Sequence, residues 1–80
     1  MIVKETGMLK RSVRVELDSI LNDLRINLEN NYKDLAHDAL KKLHGTLEDY
    51  LKSGMLKEKD YKKYKKIADD YSNRMADYHH

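Results

Sequence analysis

The residues with most chemical promise are six lysines packed into one short stretch: Lys57, Lys59, Lys62, Lys63, Lys65 and Lys66. At helical spacing Lys59, Lys62, Lys63 and Lys66 share one broad face, and such a face can neutralise phosphates. Glu58 and Asp60 interrupt the run, and it contains no Arg to read base edges in pairs. Nucleic acid held here would be held by its backbone, without sequence preference. The plainer reading is a solvated helix face, or one that pairs with an acidic neighbour.

Histidines and carboxylates offer less. Asp34, His37, Asp38 and His44 lie within one segment. His37 and His44 stand two helical turns apart, roughly 10 Å, too far to share a metal ion that needs three or four converging ligands. Asp69 and Asp70 are adjacent and diverge on a helix. Ser12, Ser19, Ser53 and Ser72 lack the strand-turn-helix setting of an activated nucleophile. There is no glycine-rich phosphate loop. No catalytic residue, metal site or cofactor is expected. His79 and His80 close the chain and carry no functional weight.

Charge is near balance overall, at +2, but strongly divided along the chain. Residues 1–14 carry four basic and one acidic side chain, and residues 15–51 carry four basic and eight acidic. Residues 52–66 carry seven basic and two acidic, and residues 67–80 one basic and three acidic.

Eighty residues make one domain, whose core supplies at most about 3–5 kcal/mol. There is no Cys, so neither a disulfide nor a thiolate metal site can staple it. That fits a reducing compartment, and the cytoplasm is the expected location. No apolar run approaches the ~20 residues of a membrane span, and residues 1–7 lack the apolar stretch of a signal peptide. With no Pro and three Gly, little interrupts helices.

Three periodic stretches must position these residues. Leu9, Val13, Leu17, Ile20, Leu21, Leu24 and Leu28 recur at three and four and predict a helix over about 8–29. Val13 and Val15 alternate like a strand, but the longer pattern outweighs them. Asn30 and Asn31 mark a break, and Asn31 with Asp34 resembles a capping box. Tyr32, Leu35, Ala36, Ala39, Leu40, Leu43, Leu47, Tyr50 and Leu51 predict a second helix over about 31–52. Gly45 weakens it by about 1 kcal/mol relative to Ala and is a place where it could kink. Ser53-Gly54 is the clearest stop, and Leu56 should anchor the connection. Leu21, Leu24, Leu40 and Leu43 are expected to meet in the core.

The third helix is predicted over about 57–78. Its apolar seam is Tyr61, Tyr64, Ala68, Tyr71, Met75 and Tyr78, stepping by three, four, three, four, three, with Ile67 beside it. Tyrosine suits a protein interface, where ring and hydroxyl are both used. The seam is therefore the candidate contact with a second copy, and bundle core with hydroxyls reaching water is the competing reading.

Residues 47–61 resemble the short helical hairpin called SHOCT, the short C-terminal domain of many bacterial proteins. Gly54, Leu56, Asp60 and Tyr61 occupy the positions of its Gly, its aliphatic residue and its acidic-aromatic pair. Lys57 stands where that family usually has Thr or Ser. The resemblance implies oligomerisation or association with other macromolecules.

These readings converge on an all-α, up-down-up antiparallel three-helix bundle, with a helical hairpin completed by dimerisation as the alternative. They point to a bacterial-type protein-interaction or regulatory module that pairs with itself, as a homodimer, or with another protein. The function from a different class is nonspecific nucleic-acid association through the lysines.

Overall fold

A computed structural model of the chain describes residues 11–76, with side chains to Met75. The chain forms three helices, α1 (Arg11–Glu29), α2 (Lys33–Ser53) and α3 (Glu58–Ala76), and no strand occurs among the described residues. The expected three-helix bundle is what forms. Leu9 and Tyr78 of the predicted periodic rows lie outside the described residues.

The helices are held by one core. From α1 it takes Val13, Leu17, Ile20 and Leu24, and from α2 Ala36, Leu40, Leu43 and Leu47. Leu56, Tyr64, Ala68 and Met75 complete it. Each large apolar side chain buried fully contributes about 1.5–3 kcal/mol of transfer free energy. Of the four leucines expected to meet, Leu24, Leu40 and Leu43 are buried, and Leu21 is half-buried against them.

The middle helix organises the packing. α2 lies against both α1 and α3, whereas the backbones of α1 and α3 stay more than 8 Å apart at their Cα atoms. Tyr64, 8 % exposed, reaches across from α3 to α1. Gly45 causes no break, and α2 runs unbroken through it.

Both connections begin with the same backbone device. After α1, Asn31 takes a left-handed conformation (φ 63°); its N–H donates to the Leu28 carbonyl at 3.1 Å and that of Tyr32 to Asn27 at 2.8 Å. After α2, Gly54 does likewise (φ 81°), its N–H donating to Leu51 at 3.2 Å and that of Met55 to Tyr50 at 3.0 Å. Both are Schellman caps that satisfy the last carbonyls of a helix. This corrects the capping-box expectation. Asn31 ends α1 instead of starting α2, and Tyr32 holds the N-cap place of α2 with no side-chain cap bond.

Candidate functional site

The tyrosine seam comes first, because the sequence offered it as an interface. Tyr64, Ala68 and Met75 are buried within a single chain, and Tyr61 and Tyr71 pack half-buried against the same core. Tyr78 lies outside the described residues. Three helices in one chain already cover this stripe, so the expectation that it stands open to a second copy is corrected: the described part of the seam is core.

Two of the seam's hydroxyls, those of Tyr61 and Tyr64, and that of Tyr50 on α2 reach carboxylates on neighbouring helices. Tyr50 of α2 donates to Glu16 of α1, Tyr61 of α3 donates to Glu48 of α2, and Tyr64 of α3 donates to Asp18 of α1 at 3.3 Å. Each of the three helix pairs is closed by one phenol–carboxylate bond. All three phenols are held above their ordinary value of 10.0. For Tyr50 and Tyr61 the main cause is the bond to Glu16 and Glu48, respectively, which favours the protonated phenol. For Tyr64 burial comes first and the charge of Asp18 second, with Arg14 acting the other way. Tyr71 carries the Arg74 guanidinium 5.1 Å above its ring.

The lysine face is as the spacing implied. Lys59, Lys62, Lys63 and Lys66 are exposed on α3, and Lys57 is exposed just ahead of it. Lys65 is half-buried and bonds Asp69 at 3.2 Å. Arg25 pairs with Glu29 at 3.5 Å. Among the described residues no ion pair reaches Lys59, Lys62, Lys63 or Lys66. The face is not neutralised by the acidic middle of the chain, so the pairing reading of the run does not hold.

Among the described residues no group of three His, Cys, Asp or Glu side chains converges to hold a metal ion. No described helix is long and apolar enough to cross a membrane.

The surface that the sequence reading missed is on α1. Val15 is 56 % exposed and Ile26 41 % exposed. They stand eleven residues apart, which on a helix brings them within about 20° of one direction. The row Ser12, Val15, Ser19, Asn22, Ile26 is exposed throughout and steps by three, four, three, four, the rhythm of the tyrosine seam. It lies opposite the buried row Val13, Leu17, Ile20, Leu24. Beside it an open groove of about 630 Å³ is lined by Ser12, Val15, Ser19 and Ile20, with Lys42 of α2 on its far wall. The spacing of Val15 and Ile26 was the available signal; Val15 reads only as a strand-like neighbour of Val13, and Ile26 falls outside the periodic row. A second, smaller depression at the α1–α2 turn is lined by Tyr32 and Leu35, which are 56 % and 53 % exposed.

No relative emerges. No protein-family model matches the chain, and comparison with curated proteins and with solved structures gave no match.

Proposed function

We propose that the chain is a non-catalytic protein-interaction module of the cytoplasm that associates with itself, and that its contact surface is the outer face of α1. The observation that carries this is the solvent-facing row bearing Val15 and Ile26. Two large apolar side chains on the face of a helix directed away from its own core gain by burial against another surface. The SHOCT-like hairpin of residues 47–61 agrees with an associating role. In it Gly54 turns the chain, Leu56 is buried and Tyr61 bonds back to α2.

Sedimentation equilibrium tests the reading. The mean mass should rise from monomer toward dimer between about 10 µM and about 1 mM protein, the range of a small reversible interface. A constant monomer mass across that range would end the self-association reading.

The four unpaired lysines favour one further reading, nonspecific binding of nucleic acid along α3. Titration of a labelled duplex at about 150 mM salt decides it. Binding in the micromolar range that weakens steeply with added salt supports it, because phosphate neutralisation releases counterions. Charge reversal at Lys62, Lys63 and Lys66 should then abolish binding and leave helicity intact.

A further inference from the structure

We infer that the lysine face of α3 takes duplex nucleic acid in preference to single strands and lies along the backbone of one strand; this rests on the nucleic-acid reading above. In the sequence Glu58 and Asp60 interrupt the lysines, but in the fold neither pairs with the exposed four. Asp60 stands one turn before Tyr64, on the same side of the helix. It is half-buried there, and its charge acts on the Tyr64 phenol. Glu58 is exposed at the start of α3 and forms no ion pair among the described residues. Asp69 is held by Lys65 at 3.2 Å, and Asp70, one turn beyond Lys66, forms no ion pair either. Lys59, Lys62, Lys63 and Lys66 therefore make a face of one sign.

That face opposes itself. Lys59 and Lys66 are each near neighbours of both Lys62 and Lys63, and like charges at spacings of three and four destabilise a helix. A solvated surface ordinarily intersperses the two signs, as α1 does where Arg25 pairs with Glu29. A polyanion laid on the four lysines replaces their repulsion by attraction.

Length and composition select the polyanion. Lys59 and Lys66 stand two turns apart, about 10.5 Å along the axis, with Lys62 and Lys63 between them on either side of the line. One strand of a duplex advances about 3.4 Å per phosphate, so this length matches about four successive phosphates, one for each lysine. Nothing on the face meets a base. It holds no Arg and no aromatic ring, since Tyr64 is buried and Tyr61 and Tyr71 pack against the core. Stacking on rings is what draws single strands to a protein. Without it charge density decides, and a duplex releases about 0.9 counterions per phosphate contacted against about 0.7 for a single strand. A lipid surface fits less well, because helices that lie in it insert an apolar face, and that of α3 is occupied by the core.

Fluorescence anisotropy of a labelled, mixed-sequence duplex tests this with the whole chain. With three or four phosphates contacted, affinity should fall roughly 40- to 150-fold between about 50 mM and about 200 mM salt. Lys62→Gln and Lys66→Gln should each lower the slope of log affinity against log salt by about 0.9, with helicity unchanged by circular dichroism because both positions are exposed. Lys42→Gln, on the groove beside α1, should leave the slope as it is. A single strand of the same sequence should bind more weakly than the duplex. If it binds more tightly and the α3 variants weaken it, bases are being held, so this inference falls while nucleic-acid binding along α3 stands. If the two α3 variants leave the slope unaltered, or the duplex does not bind at about 50 mM salt, both fall. Retention by vesicles of phosphatidylcholine and phosphatidylserine in equal parts, without duplex binding, assigns the face to a lipid surface and overturns both.

Discussion

The two connections of this bundle share a backbone solution and differ in the residues just beyond it. Asn31 and Gly54 both close a Schellman cap in the left-handed region. Two residues past Gly54, Leu56 drops into the core and is 2 % exposed. One residue past Asn31, Tyr32 opens α2, 56 % exposed and with no side-chain cap, and Leu35 stays 53 % exposed. The second turn is anchored by burial, whereas the first is held by backbone bonds and the helices it joins. A cap fixes the path of a turn; an apolar residue behind it fixes the turn to the rest of the molecule.

The contrast is broken most strongly at its anchor. Leu56→Ala should cost about 2–5 kcal/mol, the range for a buried leucine, whereas Leu35→Ala should stay within about 0.5 kcal/mol, as at other surface sites. Urea unfolding of the two variants measures both, and similar losses would erase the distinction between the turns. Next comes Gly54→Ala. A Cβ there meets no atom within 4 Å, so only the left-handed backbone resists it. The expected loss is about 1–2 kcal/mol in the same experiment.

Two substitutions should stabilise. Tyr32→Ser supplies the missing oxygen at the N-cap of α2 and should gain about 1 kcal/mol, sharpening the claim that this turn is under-secured. Gly45→Ala, midway between the turns in an unbroken and exposed stretch of helix, should gain about 0.5–1 kcal/mol. Thermal unfolding reads both, and a loss in either would show a constraint at that position beyond cap or propensity.

The subtlest effect is alkaline, and it concerns both hairpins. Tyr50 joins α1 to α2 and Tyr61 joins α2 to α3, each to a carboxylate. Their phenols are held above 10.0 in the fold. The unfolded chain therefore loses these protons first. Their contribution is complete below about pH 10 and is lost as pH rises through the folded values. Stability should be level toward pH 10 and fall above it. Tyr50→Phe and Tyr61→Phe should each lessen that fall, as tracked by denaturant midpoints across pH.

Much of the fold was legible because a repeat of three and four marks a helix face without any reference to tertiary contacts. The buried rows Val13–Leu24 and Ala36–Leu47 come directly from it. Leu35 was misread for a geometric reason. It stands about 100° round the helix from Ala36, on the side away from Leu40 and Leu43, whereas Ala36 is fully buried. Asn31 was misread because asparagine favours both the start of a helix and the left-handed residue after one. The seam on α3 was correctly located, but its covering was not, since periodicity shows a face and is silent on what lies against it. The partners of Tyr50, Tyr61 and Tyr64 are 34, 13 and 46 residues away, and no local pattern encodes them.

The tyrosine bonds also make the molecule report on itself. With neither Trp nor Phe in the chain, its near-ultraviolet spectrum is that of its six tyrosines. Three of those rings each sit at a different helix junction: Tyr50 between α1 and α2, Tyr61 between α2 and α3, and Tyr64 between α1 and α3. Removing one phenol at a time leaves a spectrum from which a single junction has been subtracted. The opening of the bundle can thus be watched seam by seam with light alone, without any label attached.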